Sequence, residues 1–217
     1  MIFLCFTILY IAEMRKIILL IFLFFSMGLR SQCLKADIII MMDWSGSESD
    51  NGQYITSAAN DFIYSLDMGP SSVKVGVIPF DWLPKIPWCV PLTWDKSVLS
   101  SVVNNLGSTF PSGITGYEES LYLARQFFKK SQEERGEEVI KIIILISDGE
   151  ETEISTNGAV SLLKSENCLI WCIGTSSSKV SDEGRSRLLF ISSGPEFYSE
   201  QTYYTLRDEL LRLNICP

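Results

Sequence analysis

The chain of 217 residues contains no histidine. Histidine is the side chain that most often acts as a general base, completes a Ser-His-Asp triad or binds catalytic zinc. The sequence therefore excludes histidine-dependent proton transfer, serine-triad hydrolysis and histidine-ligated zinc. The commonest designs of hydrolytic enzymes are excluded with them.

The chain also lacks an unbroken apolar run long enough to cross a membrane near its start. Two apolar blocks, 1–12 and 17–29, flank the charged residues 13–16. Each block is shorter than the roughly 18 to 20 residues of a spanning helix, which disfavours a retained anchor, although two blocks in succession keep that alternative open. The second block follows two basic residues, as in a secretory signal peptide. We predict a signal peptide over residues 1–28, with Met14 as an alternative start.

This pattern is compatible with three ways of processing the N-terminal segment 29–35. Cleavage after Gly28 satisfies the preference for small residues, and cleavage after Gln32 is a second alternative. Lipid attachment at Cys33 is a third, but Arg30 and Gln32 fit a lipoprotein motif poorly. We expect a secreted or cell-surface protein that meets a membrane only if the segment is retained or Cys33 is lipidated.

Positive charge is scarce relative to negative charge. The chain has 18 Lys and Arg against 26 Asp and Glu, a formal net charge of −8, and removal of residues 1–28 makes this more negative by one. Such a balance argues against nucleic acid and anionic lipid as partners and favours cations or basic surfaces. The length suits one domain of about 180 residues after a targeting segment.

A polar turn follows the first apolar run of the mature chain. Residues 36–42 read as a strand buried on both faces of a parallel sheet, and Asp43, Ser45 and Ser47 come directly after it. Ligands of open α/β sheets bind at this end of the strands. A carboxylate and two hydroxyls at i, i+2 and i+4 can converge on a hard divalent cation. The turn therefore predicts half of a metal site.

Further candidate ligands for the metal site lie later in the sequence. Residues 139–146 read as a second doubly buried strand, which ends in Ser147, Asp148 and Gly149. Between the two strands, the loop 111–116 opens an amphipathic helix and offers the hydroxyl of Thr115.

Together, D-x-S-x-S, a Gly-x-Thr loop before a helix and a strand ending in Asp-Gly resemble the von Willebrand factor type A domain. The resemblance covers about residues 36–214. It implies a metal-ion-dependent adhesion site that holds Mg²⁺ or Mn²⁺, in which hydroxyls touch the metal directly and carboxylates act partly through water. The implied ligands are Asp43, Ser45, Ser47, Thr115 and Asp148.

Each of these residues also has an ordinary structural interpretation. Asp43 and the two serines could cap the following helix, Asp148 could belong to a simple turn, and Thr115 could start a helix. The joint placement at three strand ends favours the metal site.

Apolar patterns with strand and helix character alternate along the chain. This alternation predicts a doubly wound, mostly parallel six-stranded α/β sheet with helices on both faces, and the prolines of one short strand confine it to an antiparallel edge. The domain is placed at 36–214, and a tail at 215–217. The predicted strands are 36–42, 73–80, 88–93, 139–146, 168–174 and 196–198, and the predicted helices are 50–66, 95–106, 117–131, 157–165, 181–191 and 203–213.

Two residues beside the metal ligands are candidates for a partner-binding rim. Trp44 could be an aromatic anchor for a partner, or a half-buried support for its loop. Glu150, with Glu151 and Glu153, could raise cation affinity or select a basic partner, or could form a solvated acidic turn.

Five cysteines follow the predicted signal peptide. The resemblance to extracellular members of the family, and the tendency of chain ends to lie close together, favour a disulfide between Cys33 and Cys216, with two unrelated thiols as the alternative. Cys168 and Cys172 lie about 13 Å apart along one strand, too far to pair, and read as buried thiols. Cys89 is left free.

The resemblance implies a protein that binds rather than catalyses. A partner's Asp or Glu would complete the metal coordination, with no nucleic acid or small-molecule substrate. A metal-independent assembly scaffold is an alternative. A metal-dependent phosphatase is another, although the aspartyl-nucleophile type needs a second carboxylate where this chain has Ser45. Binding that a chelator abolishes would indicate metal-mediated adhesion, and binding that survives a chelator would indicate a scaffold. Phosphatase turnover would indicate the enzyme.

Overall fold

The computed structural model describes residues 35–150, 157–177 and 179–213, within a compact unit that spans 34–217. The predicted signal peptide, the proposed pair Cys33 and Cys216, and the acidic residues Glu151 and Glu153 lie outside the described residues. The pairing of the two cysteines therefore stays a prediction.

The described residues form six strands and six helices, in agreement with the predicted alternation. The strands are β1 (Ala36–Asp43), β2 (Val73–Phe80), β3 (Val90–Thr93), β4 (Ile140–Ser147), β5 (Cys168–Ser176) and β6 (Tyr198–Thr202). The helices are α1 (Gly52–Ser65), α2 (Lys96–Leu106), α3 (Glu118–Arg135), α4 (Asn157–Ser165), α5 (Asp182–Ile191) and α6 (Leu206–Arg212). Short 3-10 turns lie at Gly46–Glu48, Ile86–Trp88 and Pro195–Phe197.

The sheet has the order β3-β2-β1-β4-β5-β6, and only β3 is antiparallel to its neighbour. This confirms the predicted mixed sheet with one antiparallel edge strand. All eight residues of β1 are buried, because β1 lies between β2 and β4 with helices over the sheet. Ile39 and Met41 pack in one cluster with Leu121 and Phe128 of α3.

The two edge strands are short or polar. In β3 the residues alternate between buried and more exposed, and Pro91, on this edge strand, has no N–H to donate. In β6 every residue is half-buried, and Glu200 forms an ion pair with Arg185 of α5. The strongly apolar strands are thus confined to the middle of the sheet.

The strand register sets the position of the polar turns. Met42 of β1 lies beside Ile146 of β4, so the two strands end at the same level. Asp43 and Ser147 are therefore neighbours at one edge of the sheet, where the carboxyl ends of the parallel strands meet. None of the described helices is long and apolar enough to cross a membrane.

Helix α3 extends beyond its predicted end. The predicted helix 117–131 stops short of residues 132–135, but these residues complete α3, and Gly136 ends the helix in a left-handed conformation with φ of 67°. Arg135 reaches Asp37 of β1 with an N···O distance of 2.9 Å, and the two side chains are 4% and 1% exposed. This buried ion pair attaches the polar last turn to the sheet, which apolar periodicity could not indicate.

Two boundaries near the C-terminal end also differ from the prediction. The strand predicted at 196–198 is β6, which begins only at Tyr198, because Pro195 starts a 3-10 turn before it. Helix α6 begins at Leu206 rather than at Tyr203. Thr205 instead receives and donates hydrogen bonds with Thr202, which closes a turn between strand and helix.

We predict that Asp37→Asn lowers the free energy of unfolding by about 3 to 5 kcal/mol, because it leaves the buried Arg135 without its counter-charge. The matched control is Glu137→Ala. It removes the exposed pair between Glu137 and Lys35, whose side chains are 42% and 41% exposed, and it should cost about 1 kcal/mol or less. Chemical denaturation measures both, and equal losses would contradict a structural role for the buried pair.

Candidate functional site

Asp43 is the last residue of β1 and is completely buried. Its Oδ1 accepts the backbone N–H of Ser45 at 3.0 Å, and its Oδ2 accepts the hydroxyl of Ser147 at 2.6 Å. The first bond shapes the turn after β1, and the second joins that turn to the end of β4. The carboxylate is thus held in one orientation.

Ser45 and Ser47 present their hydroxyls to each other. Ser45 is buried and Ser47 is exposed, and their Oγ atoms lie 3.1 Å apart. Ser45 occupies the N-cap position of the 3-10 turn, but its side chain makes no capping hydrogen bond. The alternative interpretation of Ser45 as a cap is therefore wrong.

The loop that carries Thr115 lies against this turn. The N–H of Gly46 donates to the carbonyl of Gly113, and the N–H of Ser112 donates to the carbonyl of Trp44, both at 2.9 Å. Gly113 has φ of 97°, which favours glycine, and a Cβ there would meet the side chain of Asp81 at 3.0 Å. Thr115 is buried, at 3% exposure, in the loop fixed by these bonds.

Asp148 follows β4 and is partly exposed. Its Oδ1 accepts the N–H of Glu150 at 2.9 Å, while the hydroxyl of the preceding Ser147 accepts the N–H of Gly149 at 3.1 Å. Gly149 has φ of 82°, and a Cβ there would lie only 2.5 Å from the carbonyl oxygen of Gly184 in α5. This close approach of two backbones fixes the direction of the chain after β4, at Asp148.

Burial dominates the electrostatics of the site. It raises the pKa of Asp43 to about 7, against the lowering effect of hydrogen bonds from Ser147 and Ser45, and the charge of Asp148 adds to the rise. Burial also raises the pKa of Glu48 to about 8; the approaching hydroxyl of Tyr203 opposes this, and the charges of Asp43 and Asp148 reinforce it. The smaller, charge-dependent part of both shifts is repulsion among acidic groups, and a nearby cation would offset that repulsion.

The donor set fits a hard divalent cation. All the available atoms are carboxylate and hydroxyl oxygens, which suit Mg²⁺ or Mn²⁺. In an octahedral shell with metal–oxygen distances of 2.0 to 2.1 Å, adjacent ligands are about 3 Å apart, close to the 3.1 Å between the two serine hydroxyls. Within the described ranges, no three acidic or cysteine side chains are grouped to hold a metal by themselves. Ser45, Ser47 and Thr115 would have to contribute.

Two residues of the site were not predicted. Ser147 bridges Asp43 and the buried Tyr117, whose hydroxyl lies 2.7 Å from Ser147 Oγ. A hydroxyl at the end of an otherwise apolar strand was the available indication. Glu48 is fully buried, and its Oε1 accepts the hydroxyl of Thr175 at 3.0 Å. No sequence pattern distinguishes it from a solvated acidic residue in a turn.

Trp44 is not on the surface. It is 1% exposed, its Nε1 donates to Thr109 Oγ1 at 3.1 Å, and its ring covers Gly52, where a Cβ would lie 2.6 Å from the ring edge. The prediction of Trp44 as an anchor for a partner is therefore wrong, and the ring supports the loop from inside. Glu150, in contrast, is exposed beside Asp148.

Other apolar side chains are exposed in the loops next to the site. Ile114, which precedes Thr115, is 50% exposed, and Phe110 in the same connection is 86% exposed. Trp82 is 38% exposed and packs against Gly116, where a Cβ would lie 3.3 Å from its ring. We call Trp82, Phe110 and Ile114 the apolar rim.

The described cysteines are free thiols, and none of them is among the proposed metal ligands. Cys168 and Cys172 are buried, as predicted, and Cys89 is half-buried. Burial raises the pKa of Cys89 and of Cys168 to about 12 and also raises that of Cys172. Such thiols are unreactive near neutral pH.

Comparison with known proteins identifies the family. The family model described as the von Willebrand factor type A domain matches residues 37–213. The chain therefore belongs to the von Willebrand factor type A family, as the motifs after β1, before α3 and after β4 indicated. The expectation that all three motifs follow strands is wrong for Thr115, which lies between α2 and α3.

Individual relatives are distant. The mouse (Mus musculus) collagen alpha-6(VI) chain is 28% identical over an alignment of 188 residues, and the alignment covers 84% of this chain and 8% of that protein. Proximal thread matrix protein 1 from the mussel byssus is 22% identical with a TM-score of 0.68, over 84% of this chain and 46% of that one. Manganese-loaded TRAP protein of Plasmodium vivax is 19% identical with a TM-score of 0.63, over 84% and 74%. This chain thus spans a small part of the collagen chain and under half of the mussel chain.

We predict that Gly149→Ala destabilises the domain more than Gly136→Ala, although both positions have positive φ. At Gly136 nothing lies within 4 Å of a Cβ, so alanine should cost about 1 to 2 kcal/mol for its conformation alone. At Gly149 the contact with Gly184 should add about 1 to 3 kcal/mol of steric cost. Denaturant unfolding of both variants provides the comparison. Equal losses of unfolding free energy would mean that the backbones at Gly149 and Gly184 move apart without cost.

Proposed function

We propose that this domain binds a protein partner through a divalent cation, Mg²⁺ or Mn²⁺, held by Asp43, Ser45, Ser47, Thr115 and Asp148. A carboxylate from an Asp or Glu of the partner would complete the coordination. The observation that carries the proposal is the pair of facing hydroxyls of Ser45 and Ser47, 3.1 Å apart, beside a buried carboxylate.

The hydrogen bonds of the two aspartates support this chemistry. Both oxygens of Asp43 already accept hydrogen bonds, and one oxygen of Asp148 accepts a backbone N–H. The carboxylates are thus partly neutralised by the protein, and the remaining donors are neutral hydroxyls. A cation in such a site retains positive charge toward solvent, where an external carboxylate can bind.

Two relatives add support for the cation. A structure of the mussel byssus protein has zinc in its MIDAS motif, the metal-ion-dependent adhesion site, and the Plasmodium vivax TRAP protein was solved in a manganese-loaded form. Both have the fold described here. We infer a divalent cation for this chain, with Mg²⁺ or Mn²⁺ favoured by the all-oxygen donor set.

The exposed loops define where a partner would make contact. We propose that the apolar rim takes the role first assigned to Trp44, since its three side chains are exposed and two of them, Phe110 and Ile114, lie in the connection that carries Thr115. Glu150 would lie on the other side of the cation and favour a basic group on the partner. Aromatic side chains next to a charged group are the usual anchors of such interfaces.

We also propose that the protein acts outside the cytoplasm, secreted or at a cell surface. The apolar segment before residue 29 supports this, as do relatives that are named as a collagen chain and as a matrix protein of byssal threads. Binding rather than catalysis is proposed, because the chain has no histidine and has Ser45 where an aspartyl-nucleophile phosphatase needs a carboxylate.

For the metal site, we predict that the purified domain binds Mn²⁺ in calorimetry, and that Asp43→Asn and Asp148→Ala each weaken this by at least about 10-fold. Asn keeps the volume of the buried side chain, so the fold of the first variant should survive. Asp61→Ala is the control, because it removes an acidic side chain that pairs with Arg207 elsewhere. Affinity unchanged in both site variants would refute the proposed ligands.

For the partner, we predict that a protein captured from extracellular material is released by a chelator, because its carboxylate binds through the cation. Thr115→Ala should weaken capture through the lost hydroxyl, and Phe110→Ser should weaken capture while leaving Mn²⁺ affinity unchanged. Phe190→Ser is the control, since Phe190 is 51% exposed and lies near the C-terminal end of α5, away from the loops of the site. A complex that survives both chelation and Thr115→Ala would show that the domain is a metal-independent scaffold.

A further inference from the structure

Glu48 follows Ser47 directly, in the 3-10 turn Gly46–Glu48. An acidic residue in such a turn is ordinarily solvated, but Glu48 is 0% exposed. Its Oε1 accepts the hydroxyl of Thr175, at 3.0 Å, and Thr175 is a fully buried residue of β5. The side chain thus links the turn that carries the two serines to a strand that contributes none of the proposed ligands.

The second oxygen of this carboxyl group is poorly satisfied. Oε2 of Glu48 is buried and has no hydrogen bond of normal distance and angle within the described part of the chain, although the Tyr203 hydroxyl approaches the group. Burying a carboxyl group with an unsatisfied oxygen is unfavourable. An apolar side chain of similar volume would serve packing at least as well. The stability of the fold therefore does not explain a glutamate at this position.

The local backbone indicates what the link does. The turn is closed by two short-range bonds, from the N–H of Glu48 to Ser45 and from the N–H of Ser49 to Gly46, at 3.1 and 3.2 Å. Ser45 provides no side-chain cap. The N–H of Gly46 joins the start of the turn to the loop of Thr115, and the bond between Glu48 and Thr175 joins the end of the turn to β5 of the same sheet.

We propose that Glu48 is a positioning residue for the cation site, an inference that rests on the proposed function. Its attachment to Thr175 holds the 3-10 turn so that the exposed hydroxyl of Ser47 stays close to that of Ser45. The attachment also couples the ligand geometry to the end of β5, two strands away from β1 in the sheet.

The test compares three variants by Mn²⁺ calorimetry and by chemical denaturation. Glu48→Leu should weaken Mn²⁺ binding by about 10-fold or more without lowering the denaturation midpoint. Glu48→Gln should retain most of the affinity, because its side-chain carbonyl can accept the same bond from Thr175. Thr175→Val should weaken binding in the wild-type background and have no further effect in the Glu48→Leu background.

Thr56→Val is the matched control, since Thr56 is a buried threonine whose hydroxyl donates to backbone carbonyls of α1. It should leave Mn²⁺ affinity unchanged. Amide hydrogen exchange of residues 46–49 without metal adds an independent readout, which Glu48→Leu should accelerate and Glu48→Gln should not.

Wild-type affinity in Glu48→Leu, or additive effects of the Glu48 and Thr175 changes, would overturn the positioning role while the proposed function stands. Affinity that falls only in proportion to stability would overturn it as well. A wild-type domain that binds no Mn²⁺ would instead refute the proposed function, and the positioning role with it.

Discussion

The hydrogen bond from Ser147 to Asp43 joins the ends of the two central parallel strands, and the arrangement of the site depends on it. Asp43 is completely buried, so its carboxylate needs partners from the protein. Ser147 provides one from β4 and thereby fixes where Asp148 leaves the sheet. The same carboxylate orders the turn of Ser45 through a backbone N–H. One buried acidic side chain thus brings together segments separated by about a hundred residues.

Much of this arrangement was predictable because parallel sheets impose strong sequence patterns. Strands buried on both faces read as continuous apolar runs, and their ends are marked by polar residues. The six strands, the antiparallel edge and the two strand ends that carry Asp43 and Asp148 followed from this, whereas the strand order was not predicted. The last turn of α3 did not, because it is held by the buried pair of Arg135 and Asp37 rather than by apolar contacts. Trp44 and Glu48 were misjudged or missed for a related reason: whether a turn residue faces inward depends on the loops packed against it.

The features that this chain shares with its family and the features that are its own lie in different parts of the structure. The sheet and the strand-end oxygens belong to the von Willebrand factor type A pattern, whereas the apolar rim is made of loop side chains whose exposure varies freely with sequence. The buried ring of Trp44 fills the space behind the first loop and supports that loop from inside. In the proposed function, oxygens fixed by the sheet would hold the cation, and the apolar rim would select the partner.

The edges of the sheet have a consequence for the behaviour of the protein at high local concentration. Unpaired strand edges are templates for aggregation. Here one edge is a four-residue strand that contains Pro91, and the other carries Glu200 and its ion pair with Arg185. Neither offers the long, flat, apolar ladder on which a second chain could add a strand. We therefore expect that crowded copies of this domain do not extend one another's sheet.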